Sequence, residues 1–99
     1  MFTSNEIAQN YCEVISLSRP VKMTPENLHR YVQLGLNIAY YRKLGGYTQE
    51  VLAERSGLSR TYISSIEAPS MIKSVSLEAL FHIADALGIE PHRLLEFRN

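Results

Sequence analysis

The segment between Ser59 and Glu67 places residues suited to hydrogen bonding on one side of a short helix. With about 3.6 residues per turn, Ile63 and Ile66 define the apolar side. The outward positions are then predicted to be Arg60, Thr61, Ser64 and Ser65. Small hydroxyl side chains allow a helix to approach the floor of the DNA major groove, and a guanidinium fits a guanine edge. These four residues are candidates for base contacts, with an ordinary solvated helix surface as the alternative.

A second set of residues is suited to binding phosphate. Gln49 is predicted in the first turn of the preceding helix, where free backbone N–H groups favour an anion. Its alternative role is that of an ordinary polar residue in a first helical turn. Ser59 and Tyr62 carry hydroxyl donors that position a protein on DNA without recognising sequence. Lys73, the single cation of residues 68–75, is the remaining candidate phosphate contact.

Start and stop signals predict the helices that must position these residues. Thr24 as a cap and Pro25 at the first helical position open a long helix that ends at Leu44. Its apolar stripe consists of Leu28, Tyr31, Leu34, Ile38 and Tyr41. Later helices are predicted after the caps Thr48, Ser59 and Ser76 and from Pro91, with Gly57 and Gly88 as helix ends. The predicted fold class is all-α.

A series of short motifs follows in order between Leu34 and Leu95. They are Leu34-Gly35 and Ile38 before Arg42, Thr48-Gln49-Glu50 with Leu52-Ala53, Gly57-Leu58-Ser59, Ile63 with Ile66-Glu67, and Leu80 through Gly88. In this combination the chain resembles the helix-turn-helix domain of phage Cro and repressor proteins, the bacterial XRE-type group. The resemblance implies a five-helix bundle like that of lambda repressor over residues 24–99, with its third helix contacting DNA. It also implies a structural ion pair between Arg42 and Glu67, and a backbone anchor at Gln49.

Residues 1–23 form a predicted N-terminal extension of that domain. Ile7, Tyr11, Val14 and Ile15 recur at helical spacing within about residues 4–17, before a linker that contains Pro20. A lone helix of this length is marginal in water, so its apolar face must be buried. The surface that buries it could belong to the same domain, to a second subunit or to another protein, and we favour the second subunit.

The charge balance also bears on assembly. The chain carries 10 cationic and 10 acidic residues, although cations are in excess between residues 30 and 73. A single module without net charge is attracted only weakly to phosphate. Useful affinity for DNA therefore favours two modules on one DNA, and thus a homodimer. Leu94, Leu95 and Phe97 offer a dimer surface that competes with the N-terminal helix, unless they close the core.

The segment 68–75 departs from the family pattern because it is long and apolar. The simpler expectation is that Met71, Ile72 and Val75 fold over the core as a lid. The alternative is an exposed apolar patch that binds a protein partner.

Several classes of function lack support in the sequence. Cys12 is the single cysteine and the three histidines lack metal-ligand spacing, so we expect neither a disulfide within the chain nor a metal or other cofactor. Cys12 is interpreted as a packed residue, with a redox switch between subunits as a hypothesis. No catalytic motif and no apolar run of membrane-spanning length occurs, so we expect a cytoplasmic protein that is not an enzyme.

These observations predict a sequence-specific, DNA-binding transcriptional regulator. The simplest form is a dimeric repressor that binds a pseudo-palindromic operator on double-stranded DNA through the helix at residues 60–67. The alternative is a protein-interaction module, such as an antitoxin or regulatory adaptor, that binds DNA weakly and contacts a partner through the N-terminal helix or segment 68–75.

Overall fold

A computed structural model describes residues 23–97 as an all-helical bundle. Its helices are α1 (Pro25–Leu44), α2 (Gln49–Ser56), α3 (Arg60–Glu67), α4 (Leu77–Leu87) and α5 (Pro91–Leu94). The predicted all-α class with a five-helix bundle is therefore confirmed. The predicted N-terminal helix and Cys12 lie outside the described residues.

Side-chain caps begin three of the helices at the predicted positions. Thr48, Ser59 and Ser76 each accept a hydrogen bond from the backbone N–H three residues later, at 3.0–3.1 Å. Thr24 precedes α1 with extended backbone, but its side chain makes no capping hydrogen bond. The first turn of α1 therefore depends on Pro25, whose fixed φ suits the first helical position.

The glycine between α2 and α3 fixes the turn of the helix-turn-helix unit. Gly57 adopts φ 74° and ψ 11°, a left-handed conformation that costs side-chain-bearing residues strain. This conformation ends α2 and redirects the chain, so that α3 begins three residues later.

Each helix contributes one of the five largest fully buried side chains to a shared core. These residues are Ile38, Leu52, Ile63, Ile83 and Leu94, each with no exposed surface. Burial of such a side chain stabilises a fold by about 1.5–3 kcal/mol. Because the core includes α3, the helix that presents the candidate base contacts is part of the stable bundle.

A glycine allows α1 to approach the end of α3 closely. A Cβ atom added at Gly35 would overlap the backbone carbonyl oxygen of Ile66. The absence of a side chain at this point therefore sets the distance between α1 and α3.

The lid predicted for residues 68–75 is only partly present. Val75 packs against the core, whereas Met71 and Ile72 are 56% and 45% exposed. The prediction was wrong for these two residues because the segment runs along the surface between α3 and α4. At the C-terminal end, Leu94 is core and Phe97 packs against it, but Leu95 is exposed.

Candidate nucleic-acid interface

The surface of α3 has the two-sided character that its sequence predicts. Ile63 and Ile66 are buried in the core, at 0% and 5% exposure. Arg60 and Thr61 are exposed at the start of the helix, and Ser64 follows as a half-buried residue one turn later. The N-terminal half of α3 therefore presents a small polar surface with one guanidinium.

Ser65 does not belong to that surface, and the prediction that it faces outward was wrong. Its side chain is buried and its hydroxyl donates a 2.8 Å hydrogen bond to the backbone carbonyl of Thr61. A serine that bonds back to the carbonyl four residues earlier lies against its own helix. Ser65 is therefore not available as a base contact in this conformation.

Arg60 has an acidic neighbour on the adjacent helix. Its Nε lies 3.0 Å from Oε1 of Glu50, in the first turn of α2. The pKa of the Glu50 carboxyl is lowered, chiefly by a hydrogen bond from its own backbone N–H and further by Arg60. The carboxylate and the guanidinium therefore form an ion pair between the first turns of α2 and α3.

Gln49 begins α2 and is turned partly inward. Its amide Nε2 donates to Oε1 of Glu67 over 3.1 Å. An amide group has two N–H donors, so this bond leaves one available to a ligand. The first residue of α2 is thus fixed to the last residue of α3.

The other candidate phosphate contacts are Ser59 and Tyr62 at the start of α3 and Lys73 in the segment after it. The Ser59 hydroxyl oxygen accepts from the backbone N–H of Tyr62, so its own proton can still be donated outward. Lys73 places Nζ 5.0 Å from the centroid of the Tyr62 ring, a cation–π contact. This contact fixes a cation of segment 68–75 beside α3.

Arg42 lies inside the bundle and pairs with Glu67. The guanidinium donates from Nε and Nη2 to the two carboxylate oxygens, each over 2.8 Å, and from Nη1 to the carbonyl of Tyr47. The hydrogen bond to Glu67 raises the pKa of Arg42 against the opposing effect of burial. Both side chains are about nine-tenths buried, so little of the pair is exposed at the surface of the bundle.

Two polar residues beside the helix-turn-helix unit, Glu50 and His82, were not predicted from the sequence to belong to the site. Glu50 was named only within the Thr48-Gln49-Glu50 motif and was given no role, although its place in the first turn of α2 was available as a signal. His82 of α4 places Nδ1 3.0 Å from the carbonyl oxygen of Ser56 and Nε2 3.0 Å from Oε1 of Glu78. These acceptors, the Ser56 carbonyl first, raise the pKa of His82. No spacing rule in the sequence connects His82 with the end of α2.

Within residues 23–97, no group of three histidine, cysteine or acidic side chains is arranged to hold a metal ion. No helix in the same range is long and apolar enough to cross a membrane.

Comparison with known protein families gives a match over most of the bundle. A helix-turn-helix family model matches residues 38–94, which include the whole of α2, α3, α4 and α5. The matched segment contains the exposed polar surface of α3 and the glycine turn that precedes it.

Individual relatives and solved structures agree with that match. The chain is 42% identical over 62 residues to control protein C.SmaI of Serratia marcescens, covering 63% of this chain and 71% of that protein. It is 35% identical over 66 residues to the transcriptional regulator SinR of Bacillus subtilis, covering 67% of this chain and 59% of SinR. The crystal structure of the restriction-modification controller protein C.AhdI from Aeromonas hydrophila superimposes with a TM-score of 0.61 at 38% identity. That superposition covers 65% of this chain and 94% of C.AhdI.

Proposed function

Because this chain belongs to the helix-turn-helix family of DNA-binding transcriptional regulators, we propose that it recognises one operator sequence through α3 and represses transcription as a dimer. The observation that carries the proposal is the polar surface at the start of α3. Arg60 and Thr61 are exposed there, while Ile63 on the opposite side is fixed in the core. A rigid helix with a guanidinium and small hydroxyl side chains suits insertion into the major groove.

The proposed base contacts are Arg60, Thr61 and Ser64. Arg60 has the reach and the paired N–H donors for O6 and N7 of guanine. Thr61 offers a methyl group to thymine, and the Ser64 hydroxyl can donate to or accept from a base. A bidentate arginine contact of this kind is worth about 1–3 kcal/mol of discrimination against other bases.

Phosphate contacts are proposed on both sides of α3. Gln49 contributes its second amide N–H at the positive end of α2, and Ser59 and Tyr62 contribute hydroxyl groups. Lys73 approaches from segment 68–75. These contacts would fix the position and angle of α3 in the groove without selecting a sequence.

Charge and exposed apolar surface support the proposed dimer. A chain with no net charge gains little from sequence-independent attraction to DNA, so two linked modules are needed for useful affinity. Leu77 and Phe81 on α4 are exposed apolar residues, and so is Leu95, which directly follows α5. We propose that these residues contribute to self-association, with residues 1–22 as a further candidate surface.

In the proposed mechanism the protein regulates transcription by occupying its DNA site and not by catalysing a reaction. Two copies of α3 separated by one helical turn of DNA, about 34 Å, would contact a pseudo-palindromic site on one face of the duplex. Polymerase is then excluded from a promoter that overlaps the site. No chemical step is assigned to the chain.

A second candidate function rests on segment 68–75. Met71 and Ile72 are exposed apolar neighbours, as expected of a surface that binds another protein. An adaptor or antitoxin would use this surface and bind DNA only weakly.

Selection from random DNA duplexes at near-physiological salt tests the proposal. We expect the wild type to enrich a roughly palindromic motif and Arg60→Ala to lose or relax the preference at one position in each half-site. If the folded wild type enriches no motif, sequence-specific recognition is excluded. A protein partner of the Met71 and Ile72 surface would then be sought with Met71→Ser and Ile72→Ser variants.

A further inference from the structure

The ion pair between Glu50 and Arg60 joins the two helices of the helix-turn-helix unit at the surface. Oε1 of Glu50 lies 3.0 Å from Nε of Arg60, and the two side chains are 64% and 58% exposed. Exposed ion pairs contribute little to folding. The more important consequence is that Glu50 restricts where the guanidinium of Arg60 can point.

We infer that Glu50 is a positioning residue that sets base specificity by orienting Arg60. The inference deepens the proposed function and rests on it, because Arg60 must contact a base. A guanidinium has five N–H donors, so a carboxylate that approaches from the Nε side leaves terminal N–H groups for a guanine edge. An orientation fixed before binding reduces the rotamer entropy lost when DNA is bound.

The local structure explains why Glu50 can act as the fixed member of the pair. Glu50 lies in the first turn of α2, where the positive helix end favours a carboxylate. The backbone N–H of Glu50, and further the nearby Arg60, lower the pKa of this carboxyl, so the group is anionic at neutral pH. Gln49 beside it is bonded to Glu67, which fixes the start of α2 against α3.

The same carboxylate changes the electrostatic role of Arg60. The negative charge of Glu50 offsets the positive charge of Arg60, so Arg60 contributes less to sequence-independent attraction toward phosphate. Arg60 then contributes to binding mainly where a guanine edge provides acceptors that match its N–H groups. Removal of the Glu50 charge should therefore increase binding to unrelated DNA and decrease the ratio of specific to non-specific affinity.

The test compares Glu50→Gln with Glu54→Gln. Glu54 is exposed on the same helix and forms no ion pair among the described residues, so this control removes the same charge without releasing Arg60. Dissociation constants are measured for the selected duplex and for a duplex changed at the base pair that Arg60→Ala no longer discriminates. From the usual strength of an arginine–guanine contact, the wild type should discriminate about tenfold or more. Glu50→Gln should retain a third of that ratio or less, and Glu54→Gln should retain all of it.

The Arg60→Ala background separates positioning from a general charge effect. There, adding Glu50→Gln should leave the discrimination ratio unchanged, because Glu50 has no guanidinium to orient. Equal discrimination by Glu50→Gln and wild type would overturn the inference, while loss of discrimination in Arg60→Ala would leave the proposed function standing. Failure of the wild type to select any motif would overturn both. Thermal unfolding of each variant verifies that all are folded.

Discussion

Arg42 and Glu67 bind each other through two parallel contacts of 2.8 Å, Nε to Oε2 and Nη2 to Oε1. Gln49 adds a third donor to the same carboxylate. The three residues belong to α1, α3 and α2, so one carboxylate fixes the relative positions of three helices. The orientation of α3 therefore depends on buried polar contacts as well as on the apolar core.

Replacement of one member of this pair should destabilise the whole domain. Arg42→Ala leaves the buried Glu67 carboxylate without its main partner, and we expect the free energy of unfolding to fall by about 3 kcal/mol. Urea unfolding followed by circular dichroism measures the change. Lys43→Ala, at an exposed neighbouring position, should change it by no more than about 0.5 kcal/mol. An Arg42→Ala variant of normal stability that fails to bind DNA would instead assign Arg42 to the interface.

Close packing at Gly35 leads to a second prediction about stability. Gly35→Ala introduces a Cβ that overlaps the Ile66 carbonyl oxygen, so α1 and α3 must separate. Overpacking of this kind costs about 1–3 kcal/mol, despite the higher helix propensity of alanine. Thermal melting should show a lower midpoint for Gly35→Ala, and only a small shift for Leu36→Ala at the exposed neighbouring position. A higher midpoint for Gly35→Ala would contradict the packing observed here.

Local signals in the sequence were sufficient to predict most of the fold. Thr48, Ser59 and Ser76 were identified as caps because serine and threonine oxygens satisfy free N–H groups, and the structure places them at those helix starts. Ile63 and Ile66 were assigned to the core from their spacing, and both are buried. These features depend on residues close together in the chain, which is why the sequence alone could predict them.

Features that depend on contacts between helices were harder to predict. The spacing of Ser65 indicated an exposed face, but its bond to the Thr61 carbonyl holds the side chain against the helix. The partners Glu50 and Arg60 are joined by the geometry of the turn between α2 and α3, which no helical period describes. Exposure of Met71 and Ile72 likewise depends on the path of segment 68–75, which apolar composition does not determine.

His82 should make the stability of the domain depend on pH. Its pKa is raised above the ordinary value of 6.5 in the folded state, first by the Ser56 carbonyl and then by Glu78. The protonated ring therefore stabilises the fold fully below the unfolded pKa, and this contribution is lost as pH rises through the higher folded pKa. The difference in free energy of unfolding between wild type and His82→Gln should be larger at about pH 5.5 than at about pH 8.5.

The Glu78→Gln variant distinguishes the effects of the two hydrogen-bond acceptors of His82 on the pH dependence of stability. It removes the charged acceptor and leaves the Ser56 carbonyl in place, so we expect it to reduce the pH dependence without abolishing it. Urea titrations at both pH values supply the comparison. If His82→Gln differs from wild type by the same amount at both pH values, protonation of His82 does not contribute to stability.

Lys73 should affect the affinity for DNA but not the choice of sequence. Its Nζ is held over the Tyr62 ring beside α3, where a phosphate contact supplies charge without base discrimination. Lys73→Ala should weaken binding to matched and mismatched duplexes by the same factor. It should also reduce the slope of log Kd against log salt by about one for each subunit that loses the contact. Arg93→Ala, an exposed cation on α5, should leave both quantities unchanged. A change in base preference with Lys73→Ala would show that segment 68–75 takes part in recognition, because a phosphate contact alone cannot alter that preference.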